Sequence, residues 1–216
     1  MRLPVTMTSD FICPWCYIGE RKLLSAIERL PADVQVDISY RPFELNPDMP
    51  AEGRDRKEYR SAKFGSWAKS QALDAQVTDA GKAVGLTFNY GWVKRTPNTV
   101  LPHRLMWAVA YEGGDQAVLA NRLFAAYFTD GLDLSDHAVL RRIAVEAGLS
   151  EARADEVLDG ELGTAEVQAL TGEAYAKGIH GVPLFEIGGQ ALSGAQPVEV
   201  MEAALRRAAR LQAAAA

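Results

Sequence analysis

Cysteine is nearly absent from this chain. Two occur in 216 residues, Cys13 and Cys16, so there is no second internal dithiol with which that pair could trade electrons. Histidine is as scarce: His103, His137 and His180 lie far apart without His-x₃₋₅-His spacing, and one Cys-x-x-Cys offers only two ligands, so no metal is expected. No apolar run reaches the 18 residues or more of a membrane-spanning helix. Met1 leads straight into a short β-rich segment, without a long apolar stretch or a small-residue cleavage site, so a soluble cytoplasmic protein is expected. No Lys/Arg-rich run occurs, and the net charge is −5 with a pI near 5.3. That excludes the electrostatic footprint of nucleic-acid or anionic-membrane binding. Global disorder is excluded as well, because hydrophobic residues make up 48% of the chain.

What is present converges on Ser9 to Glu20, where Cys13-Pro14-Trp15-Cys16 follows an apolar segment, Arg2 to Met7, and precedes a helical pattern. Strand, turn bearing Cys-x-x-Cys, then helix is the setting in which such a motif is redox-active. A sulfur in the first turn meets free backbone N–H groups and the positive end of the helix dipole, and both favour the thiolate. Pro14 fits just inside the helix start, where its missing N–H costs nothing. Cys13 is expected to be the exposed nucleophile, and Cys16, one turn deeper, the resolving thiol. In a reducing compartment two lone cysteines point to catalysis rather than to a structural staple. The bland alternative is a pair of small core residues.

Ile18, Leu23, Leu24, Ile27 and Leu30 define one face of a helix from Pro14 that Pro31 stops. Asp33 to Tyr40 alternates polar and apolar with the period of a strand. Pro42, Pro47 and Pro50 then mark a long exit loop. Residues 53–160 read as helices without a convincing strand, apart from an ambiguous run at Leu86-Thr87-Phe88. Gly65, Gly85, Gly113-Gly114, Gly131, Gly148 and Gly160 fall near helix ends, with Ser135 and Ser150 as N-caps. A further helix runs from Thr164 to Gly178. Gly181 to Ile187 reads as a strand, Gly188-Gly189 as a hairpin turn and Gln190 to Leu192 as its partner. Pro197 opens the last helix, and the Ala213–Ala216 tail is expected to fray. The order is that of an α/β thioredoxin-like fold interrupted by an all-α unit: residues 1–50 and 164–212 form the discontinuous frame, and 51–163 the insertion.

Asp10 to Gly19, Arg41-Pro42-Phe43-Glu44-Leu45-Asn46-Pro47, Pro97-Asn98-Thr99, Gly181-Val182-Pro183 and Ser193-Gly194-Ala195-Gln196 together resemble the DsbA family of thiol-disulfide oxidoreductases, in its FrnE-like cytoplasmic branch. The resemblance implies a thioredoxin fold with a helical insertion. It also implies exchange through a mixed disulfide at Cys13 and Cys16, and a cis Val182–Pro183 peptide facing the Cys13 sulfur. With Pro14 and Trp15, Val182 and Pro183 would then bind substrate, the Val182 backbone offering hydrogen bonds to an extended segment. Read from the residues alone, Pro183 is equally a proline at the first position of a strand. Pro14-Trp15 stands where periplasmic oxidants of the wider family carry Pro-His, so an imidazole cannot assist the thiolate from that position.

The same fold and loops resemble glutathione-dependent hydroxychromene-carboxylate isomerases and kappa-class glutathione transferases, which carry serine at the position of Cys13. That leaves a glutathione-dependent isomerase or transferase as the alternative activity, and a thioredoxin-fold chaperone as a non-catalytic one. Expected partners are protein or small-molecule disulfides and thiols, with glutathione as a possible co-substrate and no other cofactor, for a monomer or homodimer. Trp15 is read as an exposed apolar rim and Phe11 as packing. Asp10 either repels a thiolate or caps a turn. Asn98 is read as an N-cap and His103 and Arg104 as surface, with a ligand groove facing Cys13 as the lesser alternative for all three; Glu44 and Asn46 are read as ordinary exposed loop residues, with contact to substrate as the lesser alternative.

Overall fold

In the computed structural model, which describes residues 1–215, β1 (Arg2–Ser9) leads into α1 (Pro14–Ile27) and then β2 (Gln35–Pro42). β1 and β2 run parallel, with Val5 opposite Ile38 and Ser9 opposite Pro42. Both strands outlast the expected ends at Met7 and Tyr40. Pro42 is tolerated in pairing because β2 is an edge strand. Along β1 the residues Leu3, Val5 and Met7 are buried while Arg2 and Pro4 are exposed, the alternation of a strand covered on one face. Thr8 and Ser9 are buried in succession, so by the cysteine turn both faces are covered.

The helical insertion begins with β3 (Arg54–Asp55), α2 (Arg56–Phe64) and α3 (Trp67–Lys82), and continues through β4 (Arg95–Thr96) to α4 (Val100–Tyr111) and α5 (Gln116–Phe128). It closes with α6 (His137–Glu146) and α7 (Glu151–Leu158), and α8 (Thr164–Ala176) leads back to the frame. The two-residue strands β3 and β4 pair antiparallel and correct the expectation of a strand-free block. They are too short to show alternation. Leu86–Phe88 is not a strand. Leu86 and Phe88 are buried in an irregular segment, Phe88 packing on Tyr17, Tyr90 and Phe128.

Ser150 caps α7 as expected, accepting from the Arg153 N–H, but α6 is capped by Asp136, whose carboxylate accepts from Ala138 and Val139. Ser135 is displaced because its own N–H turns back onto Asp133. Gly65 closes α2 at φ +87°, whereas Gly114 and Gly160 have no left-handed backbone.

The frame resumes with β5 (Leu184–Ile187), β6 (Gln190–Ser193) and α9 (Val198–Ala215). β5 starts three residues later than expected. Sheet order is β2-β1-β5-β6, with Met7 opposite Phe185 in an antiparallel pair. α9 packs on α1 through a face that buries Met201, Leu205 and Ala208. It continues through Ala213 to Ala215, where fraying was expected; Ala216 lies outside the described residues. One buried cluster joins Met7, Phe185 and Leu205 of the frame to Leu105, Phe124, Phe128 and Leu140 of the insertion. Among the described residues no helix is long and apolar enough to cross a membrane.

Candidate active site

Cys13 occupies the N-cap position of α1 with extended backbone (φ −92°, ψ 108°), and Pro14 follows at the first helical residue. The Cys13 N–H donates to the Asp10 carbonyl (3.0 Å), closing the turn that leaves β1, and the Cys16 N–H donates to the Cys13 carbonyl (3.0 Å). Cys13 Sγ therefore stands at the positive end of the α1 dipole. The thiol is 3.6 Å from the Val182 carbonyl oxygen and donates towards it. Val182–Pro183 is a cis peptide.

Gly19 eases this approach. A Cβ there would lie 3.0 Å from the Phe185 ring and 3.1 Å from Pro183, tighter than ordinary packing, so the bare backbone lets α1 sit on the start of β5 without displacing either side chain. Lys22 Nζ to the Ala195 carbonyl (2.9 Å) and the Gly194 N–H to the Pro183 carbonyl (2.8 Å) pin the following loop. The two cysteines are free.

Cys13 is only 5% exposed, against the expectation of an exposed nucleophile. Val182, distant in the chain, lies against the sulfur at 3.6 Å, and Trp15 and the Leu45–Asn46 loop line the same cavity as Cys13. Its opening is a cavity of about 340 Å³ walled on one side by Ile12, Pro14 and Trp15 and on the other by α2 and α3. Trp15 forms the rim and is 42% exposed. Cys16 is fully buried, and its thiol is pushed well above the ordinary range, first by burial and then by the hydrogen bond and charge of Cys13. Holding the proton there keeps the deeper sulfur unreactive until its environment changes.

Behind the cysteines lies a polar layer that sequence reading placed only in part. Asp10 is fully buried. Its carboxylate accepts from the Leu45 N–H (2.7 Å) and more weakly from Ile12, tying the cysteine turn to the proline-rich loop. Burial pushes its carboxyl up to about 6 against the lowering effect of those bonds. Its charge adds to the rise at Cys16. Glu44, on the same loop, is pushed up to about 7 by burial and by the Asp10 charge.

His103 and Arg104, read as surface, are both buried on α4. The His103 ring packs against Phe11 at 5.0 Å, tilted by 45°, and its Nε2–H donates to the Phe43 carbonyl (3.2 Å), since a carbonyl only accepts. Burial lowers that imidazole to about 4. Arg104 caps the turn between α7 and α8, donating to the Leu162 (2.9 Å) and Gly160 (2.6 Å) carbonyls. The missed signal is that α4 is apolar nearly all round, so polar residues within it are buried too. Phe11 packs as expected, on His103 and Phe124. Asn98 is not the cap. Thr99 holds that position, while Asn98 accepts from Val100 and donates to the Met49 carbonyl.

Asn46 does reach the cavity, accepting from the Tyr59 hydroxyl and from Lys63 Nζ (2.7 Å). Among the described residues no three His, Cys, Asp or Glu side chains gather as metal ligands.

The chain is 30% identical to a probable DsbA oxidoreductase from Streptomyces coelicolor, with a TM-score of 0.84 over 95% of this chain and 89% of that one. It is also 27% identical to the uncharacterized protein YwbO of Bacillus subtilis (strain 168) over 207 residues, 95% of this chain and 96% of the other. The cytosolic disulfide reductase DsbM from Pseudomonas aeruginosa, in a structure with GSH, shares the fold at 20% identity, with a TM-score of 0.67 over 96% of this chain and all of that one. The DSBA-like thioredoxin domain matches residues 5–206. A dithiol turn at the start of α1, set against the Val182–Pro183 segment and roofed by inserted helices, therefore belongs to a member of the DSBA-like thioredoxin domain family.

Proposed function

We propose that the protein is a thiol-disulfide oxidoreductase in which Cys13 is the attacking sulfur and Cys16 the resolving one. A Cys13 thiolate displaces one sulfur of a substrate disulfide, forming Cys13–S–S–R and releasing the other half as a thiolate. Cys16 then gives up its proton and attacks the Cys13 sulfur, releasing the second half; the substrate gains two electrons and the dithiol becomes a disulfide. The reverse sequence oxidises a dithiol.

The observation that carries this reading is the asymmetry of the pair. Cys13 faces a cavity from the N-cap of α1, whereas Cys16 is sealed behind it with its proton held tightly. Pro14 and Trp15 line the approach, and the Val182 carbonyl at 3.6 Å from the sulfur gives a substrate chain a main-chain partner beside it. We infer a reducing compartment, the cytoplasm, and thiols or disulfides of proteins or small molecules as partners. Glutathione is a candidate co-substrate, a reading supported by the likeness to the GSH-containing reductase structure.

The test is disulfide exchange with insulin and with a glutathione redox buffer. Wild type is expected to catalyse both, and Cys13→Ser neither. A wild type no faster than Cys13→Ser would refute the assignment.

A further inference from the structure

The wall that α2 and α3 give the Cys13 cavity differs from the rest of the insertion, because little apolar surface holds it in place. α2 buries a single residue, Arg56, and α3 buries Ser70, Asp74, Val77 and Gly81. α5, by contrast, buries Leu119, Leu123, Phe124 and Phe128 among others. The interior of the α2–α3 hairpin is a polar set closed on itself. Arg56 Nη2 and Arg60 Nη2 each donate to the Asp74 carboxylate at 2.8 Å, and Arg60 Nε donates to the Ser70 hydroxyl at 2.7 Å. The two helices are tied to one another more firmly than to the frame, as in a unit that moves in one piece.

Both ends of the unit are anchored. At its start β3 pairs with β4, and the Arg56 N–H donates to the Lys94 carbonyl (2.9 Å). At its end Val77 belongs to the shared buried cluster, and a Cβ on Gly81 would come within 2.4 Å of the Phe88 ring. Between these anchors, over residues 57–73, hydrogen bonds to elements other than β3, α2 and α3 converge, among the described residues, on one atom. Asn46 Oδ1 accepts from the Tyr59 hydroxyl and from Lys63 Nζ (2.7 Å).

That fastening carries its own cost. An ammonium only donates, so the Asn46 atom facing Lys63 is the carbonyl oxygen, and Asn46 Nδ2 is left buried with no acceptor among the described residues. Parting the contact returns Nδ2 to water and recovers the cost of sealing it, which narrows the gap between closed and open states. Meanwhile Cys13 is 5% exposed and opens only into this cavity of about 340 Å³. A small disulfide fits there, whereas one held within a polypeptide does not reach the sulfur while the wall stays in place.

We propose that the α2–α3 hairpin is a hinged cover over Cys13, fastened by Asn46, and that its lifting sets the size of disulfide accepted. Small disulfides exchange in the closed cavity, and polypeptide disulfides exchange after the cover opens. The size selection rests on the reading of Cys13 as the attacking sulfur; the cover itself does not.

Two sets of substitutions move the fastening in opposite directions. Tyr59→Phe with Lys63→Met removes both donors, and neither residue is among those α2 buries. Asn46→Asp strengthens it, because a carboxylate accepts both bonds with charge assistance and has no stranded Nδ2. Spin labels attached through Ala62→Cys and Asp48→Cys, both exposed positions on the outer groove, read the gap by pulsed electron resonance in the Cys13→Ser, Cys16→Ser background. A short and a long distance are expected. The long population should rise about tenfold relative to the short one with Tyr59→Phe and Lys63→Met, and fall with Asn46→Asp. A single distance unmoved by either set would overturn the cover, whatever the chemistry of Cys13.

With the dithiol in place, the ratio of exchange rates for insulin and for bis(hydroxyethyl) disulfide is expected to follow the open fraction. It should rise about tenfold with Tyr59→Phe and Lys63→Met and fall with Asn46→Asp. A ratio unmoved by both would overturn the size selection. Rates no faster than those of Cys13→Ser for either substrate would refute exchange itself, and the spin-label distances would still decide the cover.

Discussion

At the scale of single residues, the two sulfurs are told apart by depth. Cys16→Ser is expected to leave Cys13 joined to substrate as a stable mixed disulfide, readable by mass spectrometry, whereas Cys13→Ser should trap none. Buried carboxyls set the pH response. Glu20, on α1 one turn beyond Cys16, is fully buried and pushed up to about 7 by burial, although the Tyr40 hydroxyl donates to it at 2.6 Å. A folded value above the ordinary carboxyl value means the folded state holds more protons, so this contribution is full below about 4.5 and lost as pH rises towards about 7. Asp10 has the same sign, with its loss complete near about 6. His103, lowered to about 4, acts in the opposite direction: its contribution is present above about 6.5 and lost as pH falls through about 4. Glu20→Gln should therefore flatten the decline in melting temperature between pH 5 and pH 8 by about 2 °C or more. An unchanged slope in thermal scans would refute the assignment.

At the scale of elements, caps and ion pairs decide how the insertion holds its shape. Asp136→Ala removes the N-cap of α6 and should cost about 1 kcal/mol. Ser135→Ala should change stability by less than about 0.5 kcal/mol, because the Ser135 hydroxyl has no partner to lose. Urea unfolding of both variants checks the contrast, and equal costs would contradict it. The α2–α3 pair depends on Asp74, which sits between Arg56 and Arg60 while Arg56 also lies over the Tyr90 ring at 4.9 Å. Asp74→Asn leaves two partly or wholly buried guanidiniums without their carboxylate and should cost about 3 kcal/mol. That lowers the melting temperature by about 6 to 12 °C. Helices such as α3 were legible because their starts and stops are local. α6 was misjudged by one residue because Ser135 and Asp136 are both good caps, and the chain path from Asp133 selected between them.

At the scale of the whole molecule, frame and insertion share one core. Phe124 of α5 packs on Phe11 at 5.0 Å and on Tyr17 at 5.4 Å, so an insertion residue wedges against both sides of the cysteine turn. A single calorimetric transition is expected, and two resolved transitions would contradict this continuity. Phe124→Ala should cost about 3 to 5 kcal/mol in that one transition.

The amino-acid order alone determined the α/β frame, the helical block within it and the dithiol turn. These depend on local periodicity, on Pro14 at a helix start and on Gly188-Gly189 between two strands, all of which act over a few residues. Only the tertiary structure decided that Cys13 is covered rather than exposed, that His103 and Asp10 are buried and that Asn46 and Lys63 meet at its cavity. The burial facts need segments 30 or more residues apart in the chain to be brought together, Cys13 with Val182, Asp10 with Leu45 and His103 with Phe43, and the meeting of Asn46 with Lys63 spans 17. No local pattern encodes such contacts, because burial of a polar side chain depends on what packs over it and not on its neighbours in sequence.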